Sequence, residues 1–315
     1  MTTIKGRIIK GIGGFYYVDA AGVVFETRAR GVFRVQGRKP LVGDIAQIEL
    51  ISEEEKTAVL IDIEERKNSL IRPEVANVDQ ALVIFACTHP EPNLFQLDKF
   101  LVNMEKQGVK STIVFSKVDL DSSKNKNADL ESLMNIYENA GVDIIKYSAL
   151  TSEGLEEIKE LIYGKTTVLS GPSGVGKSTL INTLAPHYEG ETGDISKKLG
   201  KGKNTTRQSE IIKVDDEGTY LIDTPGYSSV RLIVTDETEL KYYIPEFQAP
   251  GFTQESKEKC RFADCMHINE IDCAVKKRVE ENKTGHEPLA EQAIALERYN
   301  NYIRMIEEVK EGRNW

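Results

Sequence analysis

The chain has 315 residues, a formal net charge of −9, 40% hydrophobic residues and 29% charged ones. That length carries two or three domains with sizeable cores, and that acidity excludes a general polyanion binder, so any nucleic-acid contact has to come from local patches. No apolar run reaches the length of a membrane span, and the start Met1-Thr2-Thr3-Ile4-Lys5-Gly6 lacks a signal-peptide pattern; the expectation is a soluble, cytoplasmic protein without a membrane partner.

Residues 1–67 read as a small barrel. Short alternating runs, Gly6-Arg7-Ile8-Ile9-Lys10, Phe15-Tyr16-Tyr17-Val18 and Val23-Val24-Phe25-Glu26-Thr27, are separated by Gly13-Gly14 and Gly22, and Asp44 to Leu50 and Ala58 to Ile63 follow. Several strands at this spacing predict an antiparallel barrel. Residues 1–50 hold eight basic residues (Lys5, Arg7, Lys10, Arg28, Arg30, Arg34, Arg38, Lys39) against four acids (Asp19, Glu26, Asp44, Glu49), a local charge of +4. With Tyr16, Tyr17, Phe25 and Phe33 as candidate stacking faces, this is the pattern of an oligonucleotide-binding (OB) fold. An ordinary barrel whose aromatics fill its core reads the same way.

The apolar run Ala81-Leu82-Val83-Ile84-Phe85-Ala86 ends in Cys87, which reads as a small core residue. A second buried strand, Thr112-Ile113-Val114-Phe115, ends in Ser116-Lys117-Val118-Asp119. A carboxylate at Asp119 can accept hydrogen bonds from N1–H and N2–H₂ of guanine. Adenine presents the reverse edge and would leave it unpaired, a loss of about 1–3 kcal/mol or more. Beyond a helix-like segment, Asp143 to Tyr147 runs into Ser148-Ala149-Leu150, whose backbone can reach the base carbonyl.

Next comes Gly171-Pro172-Ser173-Gly174-Val175-Gly176-Lys177-Ser178, a match to the phosphate-binding loop, led in by the strand-like Thr166-Thr167-Val168-Leu169. Its glycines let backbone N–H groups wrap a phosphate; Lys177 would reach the outer phosphates and the Ser178 hydroxyl would sit on Mg²⁺. Thr179 to Leu184 can start the helix whose N-terminus faces the anion. Further on, Gly202-Lys203-Asn204-Thr205-Thr206-Arg207 offers a second Mg²⁺-binding hydroxyl from Thr205 or Thr206. Lys197, Lys198, Lys201, Lys203 and Arg207, with no acid in 195–207, make that loop a basic patch suited to sensing nucleotide and touching a phosphate backbone together. A merely solvated loop fits the same composition. Asp223-Thr224-Pro225-Gly226 follows the strand-like Thr219 to Ile222; Asp223 can hold Mg²⁺ through water and Gly226 can present its N–H to a γ-phosphate. A phosphate loop alone would fit an ATPase as well; the further elements favour guanine.

Cys260, Cys265, His267 and Cys273 gather within 14 positions. Three thiolates and one imidazole satisfy tetrahedral Zn²⁺ with no open position, so the expected site is structural. Pro288 to Val309, with Leu289, Ile294, Leu296, Tyr299, Ile303 and Ile306 at near-helical spacing, reads as a packing helix.

In chain order the pieces are lysine–aspartate, Ser-Ala, phosphate loop, threonine loop, then Asp-Thr-Pro-Gly. This order resembles the circularly permuted GTPases, and over essentially all 315 residues the chain resembles the RsgA (YjeQ/YloQ) family. The resemblance implies a multidomain α/β protein: an N-terminal OB-fold barrel (1–67), a circularly permuted P-loop GTPase domain (74–232) and a C-terminal helical zinc-binding domain (233–315). Asn68-Ser69-Leu70-Ile71-Arg72-Pro73 matches that family's junction. It also implies Mg²⁺-dependent hydrolysis of GTP to GDP, late maturation of the 30S ribosomal subunit with stimulation by that subunit, contact with 16S rRNA, and a monomer. Two positions depart from the family pattern, and a third from other GTPases. Ser116 replaces an Asn that braces the phosphate loop and contacts the purine, Asn204 replaces a His, and Tyr227 stands where other GTPases place a water-orienting Gln. Slow turnover in isolation is the consequence expected of the last two.

Overall fold

The structure is a computed structural model that describes residues 2–35, 37–120, 130–188, 210–224, 230–248, 259–280 and 293–312. In chain order the strands and helices are β1 (Thr3–Ile12), β2 (Phe15–Ala20), β3 (Val23–Ala29), α1 (Val32–Val35), β4 (Ile45–Ser52), β5 (Thr57–Ile63), β6 (Gln80–Ala86), α2 (Leu94–Lys106), β7 (Lys110–Ser116), α3 (Leu130–Tyr137), β8 (Asp143–Tyr147), α4 (Leu155–Ile162), β9 (Thr166–Ser170), α5 (Lys177–Leu184), β10 (Glu210–Lys213), β11 (Tyr220–Asp223), α6 (Ala274–Lys277), β12 (Val279–Glu280), β13 (Ile294–Ala295) and α7 (Leu296–Gly312). Packing divides the chain into two compact units. One comprises residues 1–80, 159–170 and 178–225; the other comprises 81–158, 171–177 and 226–315.

In the first unit, β1 to β5 close a barrel in the order β1-β2-β3-β5-β4. Every pairing is antiparallel except β3 with β5. This is the five-stranded arrangement of an OB barrel. Alternation puts every second side chain inside, so Ile8, Val18, Phe25, Phe33, Ile48 and Leu60 form its core. Phe25 (6% exposed) and Phe33 (4%) are therefore core residues and not stacking faces, a correction to the sequence expectation. Tyr16 also packs partly against that core, and the Tyr17 hydroxyl donates to Glu26.

The basic excess shrinks as well. Lys5, Arg30, Arg38 and Lys39 pair with Glu64, Glu49, Asp62 and Glu74. Arg7 is withdrawn from the outer surface: its Nη1 donates to Thr166 Oγ1 at 2.8 Å and its guanidinium lies 4.4 Å from the Tyr220 ring centroid. Counted over residues 1–67 the barrel has 11 basic and 10 acidic residues, because Glu53, Glu54, Glu55, Asp62, Glu64 and Glu65 fall beyond position 50. The segment after the barrel is fastened to it. Arg66 donates twice to the fully buried Asp44, at 2.7 and 2.9 Å, and the Asn68 amide bonds both backbone groups of Val78. Still within this unit, β11 lies between antiparallel β10 and parallel β9.

The second unit carries strands in the order β6-β7-β8, with β7 and β8 parallel. All seven positions of β6 are buried, which explains its unbroken apolar run. Asn93 caps α2 by accepting from Gln96 N. Val234, Leu240, Ile244, Phe247, Val275 and Ile294 meet Tyr302, Met305 and Ile306 of α7 in a common core. The last helix starts later than its periodicity predicts. Ile294 is taken into β13, paired in parallel with Val279, and its N–H donates to Arg278 O at 2.7 Å. Residues 288–292 lie outside the described residues. Among the described residues no helix is long and apolar enough to cross a membrane.

Candidate functional site

The phosphate loop is shaped by backbone that only glycine accepts. Gly171 has φ +150°, and a Cβ there would stand 2.2 Å from Ile84 O. Gly174 and Gly176 have φ +82° and +98°, while Val175 is buried and anchors the turn between them. Pro172 is partly covered and Ser173 is exposed. Lys177 opens α5 and is buried; its Nζ donates to Gly171 O at 2.9 Å and Pro172 O at 3.2 Å, which holds the ammonium over its own loop. Ser178 and Thr179 follow in the first helical turn, exposed, where backbone N–H groups have no intrahelical partner.

Two residues beside this loop brace it. Ser116 Oγ is 2.6 Å from Val175 O and 3.3 Å from Phe85 O, so its single proton goes to the loop carbonyl. Lys117, at φ +60°, donates from Nζ to His89 O and Gly174 O, both at 2.7 Å. The bracing role of the expected Asn is thus kept by Ser116. Ser116 is only 1% exposed and its hydroxyl is engaged with the loop.

Asp119 stands exposed in a 3₁₀ turn, Val118–Leu120. The register of β7 and β8, Ser116 opposite Tyr147, sets the two motif-bearing strand ends side by side. Ser148, fully buried, donates from Oγ to Asp119 Oδ1 at 2.6 Å and accepts from Leu150 N (3.2 Å) and Thr151 N (3.1 Å). Ala149 and Leu150 are exposed next to it. The structure therefore brings together the lysine–aspartate and Ser-Ala motifs, and it holds the first of them on the phosphate loop. Asp223 closes β11 opposite Leu169, and Thr224 Oγ1 donates to Leu169 O at 2.9 Å. Thr205, Thr206, Gly226, Asn204, Tyr227 and the basic run from Lys197 to Arg207 lie outside the described residues.

The four predicted metal ligands converge, with all ligand atoms within 4.8 Å of one another. Cys260 Sγ lies 3.9 Å from Cys273 Sγ and 3.6 Å from His267 Nδ1, which is 3.4 Å from Cys273 Sγ. Bonds of about 2.3 Å to sulfur and 2.0 Å to nitrogen at tetrahedral angles give separations of about 3.8 and 3.5 Å. The donor set is thus consistent with a zinc site. Burial pulls His267 down to about 4, so its imidazole is neutral at pH 7 and offers a lone pair. Burial pushes Cys265 up to about 12, so that thiol sheds its proton only in the field of a cation. The loop is held from behind: Tyr299 and Tyr302 donate to His267 O and Met266 O at 2.7 Å, and Glu270 accepts from Met266 N and Ile268 N.

Helix α2 carries polar residues that no motif announces. Arg298 of α7 donates through Nη1 to Asp98 (2.6 Å) and through Nε and Nη2 to Glu246; Tyr137 and Asn301 also donate to Asp98. All five are buried. On the same helix, Gln96 accepts from Val230 N, while Asn103 bonds Arg231 O and Ile233 N. The backbone at Val230, Arg231 and Ile233 is thereby fixed to α2. An Asp and an Asn at helix-face positions beside Leu97, Leu101 and Met104 were the available signal in the sequence.

Comparison with known proteins places these features. A family model described as RsgA GTPase matches residues 63–233, and one described as RsgA N-terminal domain matches residues 5–60. The chain is 42% identical to the "Small ribosomal subunit biogenesis GTPase RsgA" of Alkaliphilus metalliredigens over 99% of both chains. It is 44% identical to the protein of that name from Agathobacter rectalis, over 99% of this chain and 100% of the other. Among solved structures it is similar to YjeQ from Thermotoga maritima (31% identity, TM-score 0.74, 98% of this chain and 99% of that one). It is also similar to YloQ, described as a circularly permuted GTPase (32% identity, TM-score 0.72, 98% and 96%). With its lysine–aspartate and Ser-Ala motifs encoded ahead of its phosphate loop and an OB barrel in front of both, the chain belongs to the RsgA family of circularly permuted GTPases.

Proposed function

We propose that this GTPase acts on the small ribosomal subunit as a late maturation factor, and that the subunit stimulates its turnover. The observation that carries the nucleotide assignment is the double anchoring of one motif: Lys117 and Ser116 hold Gly174 O and Val175 O of the phosphate loop, while Ser148 holds Asp119. The spacing between base edge and phosphates is set before any nucleotide arrives. Asp119 reads guanine through Oδ2 and Oδ1, and the loop amides from Gly171 to Gly176 take the phosphates. Lys177, released from Gly171 O and Pro172 O, neutralises charge on the transferred group. Ser178 and one of Thr205/Thr206, with Asp223, would hold Mg²⁺, and Gly226 would offer its N–H to the γ-phosphate; the ion would supply positive charge against the phosphate oxygens.

Cys260, Cys265, His267 and Cys273 hold one structural Zn²⁺ in this reading, because four protein donors leave no coordination position for chemistry. The division into residues 1–67, 74–232 and 233–315 belongs to the same proposal, as do a monomeric state, a cytoplasmic location and contact with 16S rRNA. The barrel's near-neutral charge shifts the electrostatic part of that contact to the Lys197 to Arg207 run. The test is GTP hydrolysis measured alone, with isolated 30S subunits and with 50S subunits, using ATP as a control. Stimulation by 30S subunits alone is expected. Equal turnover under all three conditions rejects the small-subunit assignment.

A further inference from the structure

We infer that Arg7, a residue of the barrel, is a positioning residue for GTP hydrolysis: it fixes the leading ends of β9 and β11, and through them Asp223 and Thr224 at the other end. The inference rests on the role proposed above for Asp223 and names a residue which that role does not include. Three observations carry it. First, packing does not part the barrel from these strands. Residues 1–80, 159–170 and 178–225 form one compact unit, so β9, β10 and β11 share it with β1 to β5. Second, Arg7 reaches both strands at a single rung. Its Nη1 donates to Thr166 Oγ1 at 2.8 Å and its guanidinium lies 4.4 Å from the Tyr220 ring centroid, and Thr166 and Tyr220 are register partners in the parallel β9–β11 pair. Arg7 itself is mounted stiffly, with Asp19 of β2 opposite it on one side and Ile45 of β4 on the other. Third, Thr166 is held from behind as well. Asp79 accepts from Thr166 N through Oδ2 at 2.8 Å and donates its own N–H to Thr166 O at 2.9 Å, while Lys67 pairs with Asp79 at 2.6 Å. Three residues further along the same register Leu169 faces Asp223, and Thr224 bonds back to Leu169 O through its N–H (3.3 Å) and Oγ1 (2.9 Å). At about 3.3 Å per residue these two rungs stand about 10 Å apart. β11 is four residues long, so its own ladder gives a short baseline for aiming its last side chain. A tilt of about 5° about the Arg7 rung moves Asp223 by about 1 Å, the scale of misplacement that slows a reaction without removing any reacting group. A cation that composition assigns to RNA contact is, on this geometry, part of the support of the nucleotide site.

The experiment uses the full-length protein with Arg7→Met, Arg7→Lys, Thr166→Val, the double variant of Arg7→Met with Thr166→Val, and Asp223→Asn. For each, kcat and KM for GTP are measured together with GDP affinity by calorimetry. Arg7→Met should lower kcat about three- to tenfold, with KM and GDP affinity within about twofold of the parent. Thr166→Val removes only the acceptor, so it should act in the same direction, and it tests the same contact should Arg7→Met not fold. Because both act through one contact, the double variant should fall no further than Arg7→Met alone. Arg7→Lys, which can still donate to Thr166, should recover part of the turnover. Asp223→Asn tests the underlying role by itself: parental turnover there rejects that role and takes the inference with it. With Asp223→Asn impaired, a kcat of Arg7→Met or of Thr166→Val within about 1.5-fold of the parent overturns the inference and leaves the role of Asp223 intact. Losses that multiply in the double variant overturn it too, because the residues then act apart. A fall shared equally by kcat and GDP affinity does the same, because it reports general loosening of the fold.

Discussion

Replacing Arg298 by Met should be among the costliest single changes in the second unit. Arg298 is 7% exposed and makes three side-chain hydrogen bonds to two carboxylates, Asp98 and Glu246, each buried to 5% exposure or less. Met keeps most of the volume, so the cavity contribution stays small and the electrostatic one dominates. Removing one partner from a buried ion cluster costs about 3–5 kcal/mol, because the charges left behind are neither hydrated nor paired. The pH dependence identifies the cause. Burial raises Asp98 above the ordinary carboxylate range, with Arg298 opposing that rise. A carboxyl raised in the folded state binds its proton more readily there than when unfolded. Its contribution to stability is therefore full below the unfolded pKa and is lost as pH climbs through the folded one. Without the guanidinium Asp98 rises further, so the deficit of the variant should be larger at pH 8 than at pH 5. Denaturant unfolding of parent and variant at both values, followed by backbone circular dichroism, measures it. A deficit below about 1 kcal/mol, or one equal at both pH values, refutes the charge argument. The triple change Asp98→Leu, Glu246→Leu, Arg298→Met should recover much of the loss.

Ser116→Ala should strand the buried Val175 carbonyl at a cost of about 1–3 kcal/mol and loosen the phosphate loop; unchanged GDP affinity by calorimetry would show that the brace is idle. Gly171→Ala places a Cβ against Ile84 O and should abolish nucleotide binding in a protein that still folds, as judged by circular dichroism. Lys177→Ala should eliminate hydrolysis, and a variant with parental turnover would remove this loop from the mechanism. Stripping metal with a chelator should expose three thiols to a thiol reagent beyond those reactive in the untreated protein and lower the thermal midpoint. Identical thiol counts before and after treatment would argue against a Cys-ligated ion.

What could be read from the residues alone divides along a physical line. Gly171 was legible because its work is local, a backbone angle suited to glycine, whereas the Ser148 hydroxyl contacts with Asp119 and Leu150 N were not read from the sequence. The barrel strands were legible for the same reason, since a period of two needs only neighbours. The barrel's charge was misread because sequence windows do not know where a barrel ends. Four of its eight counted cations are matched by Glu49, Asp62, Glu64 and Glu74, three of which lie past the window and one past the barrel. Arg298 was out of reach for a different reason. Its partners lie 52 and 200 positions away, and each of the three looks, on its own helix or turn, like an ordinary solvated charge. Burying the three together is unfavourable unless the set is complete. The cluster thus asks more of folding than apolar packing would, and it favours one register of α7 on α2: a slip of one residue would set Glu297 or Tyr299 opposite Asp98. The same α2 holds Val230, Arg231 and Ile233 through Gln96 and Asn103. A register fixed by charge at one end of α2's contacts therefore also fixes the backbone at Val230, Arg231 and Ile233. That gives a physical reason for an ion cluster here in place of cheaper apolar packing, and it is why the Arg298 variant is worth assaying for GTP turnover as well as for stability.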